Sequence, residues 1–146
     1  RMMSKTKSHL PDIELAFLDH VAIRVTNLST SVEWYERVLG MQKYQFEEWG
    51  PFPIFMMQGK FGVALFPMKT EAPIPLGKKD FIKIDHFAFN VDASNFAKAK
   101  ARYEGLGIDF EIQDHHFFHS IYTKDPDGHT VELTTLVGNE DFYFTP

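Results

Sequence analysis

The chain has 146 residues, 44% apolar and 15% aromatic, enough for one domain that buries about two-thirds of its unfolded surface. It contains no Cys, which excludes disulfides, thiolate metal sites and cysteine nucleophiles. A net charge of −5 without a long basic run argues against a nucleic-acid partner, and no apolar run approaches the roughly 18 residues of a membrane span.

The opening "RMMSKTKSHLPD" is polar and basic and lacks the apolar segment of a signal peptide. Residues 1–16 read as a tail, and a cytoplasmic protein is expected. "LDHVAIRV" (18–25) alternates as a strand does, with Val21, Ile23 and Val25 on one side and His20, Ala22 and Arg24 on the other. A helix follows, because Leu28, Val32, Tyr35 and Leu39 form one apolar stripe. Asn27 suits its N-cap, Thr30 and Glu33 have capping-box spacing, and Leu39-Gly40 ends it. Short strands are expected at 41–48, 53–58 and 61–66. "PMKTEAPIPLGKKD" (67–80), with three prolines, reads as a linker.

Then the pattern repeats. "IDHFAFNV" (84–91) matches "LDHVAIRV" 66 residues earlier, Leu106-Gly107 matches Leu39-Gly40, and "VEL" (131–133) matches "VAL" (63–65). The second helix carries Phe96, Ala99, Tyr103 and Leu106 on one stripe, with Asp92 or Ser94 as its cap. Strands are expected at 108–114, 118–124 and 129–135, the last two joined by the tight turn "DPDGH" (125–129). The expected fold is therefore α+β. Two βαβββ modules, 17–66 and 81–137, pair into one domain with a curled mixed sheet and helices on its outer face. Residues 138–146 form a C-terminal tail.

Strand parity now selects residues. Helices cover the face of Phe87, Phe89 and Val91, so His86, Ala88 and Asn90 turn toward the concave side. The repeat gives His20 the same orientation, and in "TVELTT" Glu132 joins them, since Val131 and Leu133 face the helices. Two imidazoles and one carboxylate from three strands form a facial set for a divalent metal with open positions.

The segments "LDHVAIRVTNLSTSVEWYERVLG", "IDHFAFNV" and "SIYTKDPDGHTVEL" resemble the vicinal oxygen chelate superfamily. It includes glyoxalases, extradiol dioxygenases, fosfomycin- and bleomycin-resistance proteins and methylmalonyl-CoA epimerase. The resemblance covers about residues 17–137 and implies a cup of paired βαβββ modules around a metal held by His20, His86 and Glu132. Glyoxalase I and the epimerase typically place a Glu or Gln where this chain has Ala64. That departure favours the His–His–Glu branches, so Fe2+ or Mn2+ is the expected ion, with Zn2+ as a further option.

In those branches a tyrosine ten positions before the carboxylate ligand lines the site, which here is Tyr122. A catalytic histidine comes from the region of His115, His116 and His119, and His116 shares parity with Ser120 if the strand there is unbroken. Tyr122 and His116 are thus the catalytic candidates, and Arg24, Asn90 and Ser120 the substrate-binding ones. A buried Arg24 would need an anionic substrate group or a carboxylate. Trp49, Phe52, Phe55 and Phe66 offer an apolar wall for a ring or chain, with a plain core role expected for most of them. His129 reads as local to its turn, and His9 lies in the tail.

The function this implies is a metal-dependent enzyme that chelates adjacent oxygens of a small substrate, with dioxygenase-like or related lyase or isomerase chemistry. A fosfomycin-type thiol transferase is one alternative, although Thr134 stands where those proteins commonly carry His. A metal-free, bleomycin-resistance-like binding protein is the other. A homodimer is expected, its modules pairing either within a chain or across chains. The tail "EDFYFTP" would cover an edge or the partner.

Overall fold

The computed structural model describes residues 10–69 and 84–138. Each half runs strand, helix, three strands. The first comprises β1 (His20–Val25), α1 (Leu28–Leu39), β2 (Gln42–Tyr44), β3 (Ile54–Gln58) and β4 (Phe61–Pro67). The second comprises β5 (His86–Asn90), α2 (Ala93–Leu106), β6 (Glu111–Asp114), β7 (Phe118–Lys124) and β8 (Thr130–Leu136). Most of the linker, His9 and the aromatic tail at 142–144 lie outside the described residues.

Local chemistry accounts for the boundaries. The Asn27 side chain accepts from Thr30 N at 2.9 Å, and α1 ends where Gly40 takes the left-handed φ of 70° that a side chain would disfavour. Of the two candidate caps on α2, Asp92 is the one used, accepting from Asn95 N at 2.8 Å. Ser94 lies inside the helix. The strand expected at 41–48 stops at Tyr44, because Glu47–Trp49 form a single 3₁₀ turn.

Two four-stranded sheets result, in the orders β1-β4-β3-β2 and β5-β8-β7-β6. In each, the first strand runs parallel to the last and the other pairings are antiparallel. The registers coincide as well: Ala22 pairs with Ala64 in one sheet and Ala88 with Glu132 in the other. Ala64 therefore does occupy the position equivalent to Glu132. Both β1 and β5 lie at the edge of their sheets, with one neighbour each among the described residues. No described helix is long and apolar enough to cross a membrane.

The core lies on the helix side. Val25, Val63, Leu65 and Met56 pack there with Tyr35 and Val38 of α1, and the second module adds Tyr103, Ile121 and Val131. A polar clasp joins the modules. The Tyr35 hydroxyl donates to buried Asp125 at 2.9 Å, the Thr26 hydroxyl donates to Asp127 at 2.7 Å, and Arg102 Nε donates to the Arg37 carbonyl at 2.8 Å. The "DPDGH" turn thus does more than reverse the chain, and His129 belongs to this clasp through its 2.9 Å contact with Asp125.

Gly62 shows how tightly β4 is built. It pairs with His20, and its N–H donates to the Asp19 carbonyl at 3.0 Å. A methyl group there would overlap the Met56 carbonyl oxygen and come within 2.6 Å of Met57 Sδ. Gly62→Ala is expected to destabilise the fold by about 2–4 kcal/mol in urea unfolding, since backbone must move to relieve the overlap. An unchanged midpoint would show that β3 gives way freely.

Candidate functional site

The site grows from two of the chain's three Asp-His dipeptides, the two at equivalent repeat positions. Asp19 precedes His20 and Asp85 precedes His86, and each carboxylate meets its histidine's Nδ1, at 2.8 and 2.9 Å respectively. A carboxylate oxygen accepts, so Nδ1 is the donor in each pair and Nε2 is the ring nitrogen left for another partner. Outer carboxylates orient metal-binding imidazoles in this way. The recurrence of Asp-His in both repeats was the sequence signal for these two aspartates.

On the second sheet, β5 and β8 bring His86 Nε2 to 3.0 Å from Glu132 Oε1. Glu132 is only 5% exposed, and Ser120 on β7 donates to its other oxygen at 2.6 Å. Nε2 and Oε1 both offer lone pairs, so this spacing needs a shared proton or a cation. Two ligands about 2.1 Å from one ion and at right angles to each other stand about 3.0 Å apart. The spacing is thus that of an Nε2–H···Oε1 hydrogen bond, and it also matches adjacent positions of a divalent metal.

His20 is not with them. It stands on β1 of the other sheet, and among the described residues no group of three His, Asp or Glu is assembled within one chain. Its ring instead lies edge-on to Phe55 at 5.1 Å.

Tyr122 lies opposite Glu132 in the β7–β8 register, with its ring 6.1 Å from that of His86. Burial, then the neighbouring Glu132 charge, push its phenol above the ordinary value, so it stays protonated at neutral pH. Its partner is His115, whose Nε2 lies 3.0 Å from the hydroxyl. The parity that favoured His116 fails because the strand is broken: β6 ends at Asp114 and β7 starts at Phe118. His116 sits in the intervening turn, exposed, with φ 68°. His119 faces Asp114 at 3.6 Å.

The remaining candidates divide. Ser120 is fully buried, its hydroxyl engaged by Glu132 with that of Thr134 at 3.1 Å, so it stands behind the carboxylate rather than open to substrate. Asn90 is exposed on the concave face of β5. Arg24, expected to be buried beside a carboxylate, is exposed. It donates to the Pro67 carbonyl at 2.9 Å and lies over the Phe66 ring at 5.1 Å. Trp49, Phe52, Phe55 and Phe66 are all outside the buried core: Phe55 and Phe66 share the strand face of Ala22, Arg24 and Ala64, while Trp49 and Phe52 lie in the connection between β2 and β3.

Comparison with known proteins agrees with this architecture. The chain is 28% identical over 119 residues to glutathione transferase FosA of Serratia marcescens, covering 82% of this chain and 80% of that protein. The structure of a glyoxalase/dioxygenase from Nostoc punctiforme superposes with TM-score 0.71 at 20% identity, covering 92% of this chain and 100% of that one. Fosfomycin resistance protein FosX from Mesorhizobium loti gives 0.63 at 22% identity, with 90% and 100% covered. A family model described as the glyoxalase/bleomycin resistance protein/dioxygenase superfamily matches residues 17–133, which spans both modules. The chain belongs to that superfamily.

Proposed function

We propose that the protein is a divalent-metal-dependent enzyme acting on a small substrate with adjacent oxygens, its site formed between two copies of the chain. His86 and Glu132 of one copy and His20 of the other would hold the ion. The observation that carries this reading is the paired Asp-His arrangement. Both imidazoles are oriented by a carboxylate and both present Nε2, yet only one has a carboxylate ligand beside it.

The edges support the same reading. β1 and β5 are both edge strands, and Leu18 and Ile84 just ahead of them are 75% and 72% exposed at equivalent repeat positions. Large apolar side chains beside open strand edges favour pairing with another copy. A two-fold dimer joining β1 to the second copy's β5 would satisfy both edges twice and bring His20 to the ligand pair.

The ion, when bound, would supply Lewis-acid polarisation of the substrate's oxygens. The chain's own residues do the rest. Ser120 and Asp85 hold Glu132 and His86 in place, while Tyr122 gives a proton from its hydroxyl, with His115 as the relay to solvent.

Mixing tests the arrangement directly. His20→Ala and His86→Ala should each lose metal as homodimers, whereas unfolding and refolding them together should restore about one intact site per mixed dimer. Failure to restore metal on mixing would place the ligands within one chain or nowhere. Oxygen uptake with catechols under Fe(II) then separates dioxygenase chemistry from thiol addition to fosfomycin under Mn(II). The likeness to glutathione transferase FosA makes thiol addition the second reading.

A further inference from the structure

The two concave faces differ in chemistry. That of the second module is polar, carrying His86, Glu132, Tyr122, Ser120 and Asn90, whereas that of the first is aromatic. Phe55 stands 5.1 Å from His20, Trp49 is 5.4 Å from Phe55, and Phe66 and Phe52 lie 6.1 Å apart. Trp49 remains 45% exposed and Phe52 39%. These rings are not filling the core.

The strand beneath them has a gap. Along the concave side of β1 the order is His20, Ala22, Arg24, and Ala22 is exposed. His20 and Arg24 are four residues apart on a strand, about 13 Å between their Cα atoms. Between them only a methyl group rises from β1, beside Ala64 of β4; Phe55 stands one strand further on β3, and Phe66 of β4 is level with Arg24. The gap has aromatic walls, an imidazole at one end and a guanidinium at the other.

That guanidinium is held but not neutralised. Among the described residues its contacts are the Pro67 carbonyl and the Phe66 ring, neither of them an anion. The carbonyl takes one hydrogen of Nη1 and the ring takes a face, so most of the five donors stay free for a carboxylate. Aromatic walls favour a flat ring in offset or edge-on contact.

We propose that the concave face of the first module seats the aromatic ring of an anionic substrate over Ala22, with its acid group on Arg24 and its other end directed at His20. This rests on the metal-enzyme reading for what happens at the His20 end, but the seat itself needs no metal. A ring with one acid group fits the span. A small aliphatic acid would reach Arg24 and leave the aromatic walls in water.

Calorimetric titration of the full chain, chelator-treated, tests this with benzoate, cyclohexanecarboxylate, benzyl alcohol and acetate as probes. Benzoate is expected to bind at least about tenfold more tightly than benzyl alcohol or acetate, and measurably better than cyclohexanecarboxylate. Arg24→Gln should reduce benzoate to the level of benzyl alcohol. Ala22→Leu, at an exposed strand position that tolerates a larger side chain, should remove both by filling the gap.

No benzoate binding, equal affinity for cyclohexanecarboxylate, or indifference to Ala22→Leu would overturn the proposal. So would a result in which Ala22→Leu and Arg24→Gln change only the oligomeric state, which would make the face a protein contact. The two readings fail separately. Metal retained by His86 and Glu132 without benzoate binding removes the seat alone. Benzoate binding that follows Ala22 and Arg24 in a protein that takes up no metal leaves the seat and removes the metal.

Discussion

Glu132→Ala is expected to strip divalent metal from the protein while leaving it folded. Losing an outer partner of a ligand typically costs about 10- to 100-fold in metal affinity, and removing the buried carboxylate itself should cost more. Little stability should go with it. Ser120 keeps the Thr134 hydroxyl at 3.1 Å, and the His86 side chain, 39% exposed, can turn Nε2 to water. A buried carboxylate also carries a desolvation penalty that its removal relieves. Elemental analysis of protein purified without chelator, beside a urea curve, reads both effects. The expected result is about one ion per chain in the parent, near none in the variant, and midpoints within about 1 kcal/mol of each other. Metal retained by the variant would mean that another carboxylate ligates. The outer effect has its own check: Asp85→Asn should weaken metal binding by about 10- to 100-fold without abolishing it.

Asp125→Ala should have the opposite profile, a large loss of stability. Asp125 is buried and accepts from the Tyr35 hydroxyl at 2.9 Å and from the backbone N–H groups of Asp127 and His129 at 2.9 and 2.8 Å, with the His129 ring at 2.9 Å. Each buried donor left without an acceptor costs about 1–3 kcal/mol, and the Tyr35 hydroxyl has no route to water. A total of about 3–5 kcal/mol is expected, against about 1–2 for Tyr35→Phe, which leaves Asp125 its other donors. A loss below about 1 kcal/mol for Asp125→Ala would show that the modules do not depend on this clasp.

The same clasp sets an alkaline limit. Burial, reinforced by the Asp125 charge, pushes the Tyr35 phenol far above its ordinary value of 10.0, and burial pushes Tyr103 up to about 12. The unfolded chain releases these protons near pH 10 and the folded chain holds them. Their contribution to stability is therefore whole below about pH 10 and declines as pH rises beyond it. Tyr35→Phe should flatten that decline.

Much of this protein is legible without coordinates because it is written twice. Alternation in 18–25 and 84–91 places His20 and His86 on the concave faces, and the offset repeat assigns Ala64 the position of Glu132. The registers of β1 with β4 and of β5 with β8 agree. Periodicity is a property of neighbours in the chain, so strands, helices, caps and facing can be read from it.

What lies between elements could not be read that way. His115 rather than His116 meets Tyr122 because the chain turns between β6 and β7, and parity carries no information across a turn. The buried place of Asp125 depends on Tyr35, ninety residues away, which no local pattern encodes. Arg24 lies on an aromatic ring instead of against a carboxylate for the same reason. Sequence by itself determined the two modules and the facing of each ligand candidate. Only the tertiary structure decided that His86 and Glu132 meet within one chain while His20 stays apart, since the distance between two sheets depends on how separate segments pack.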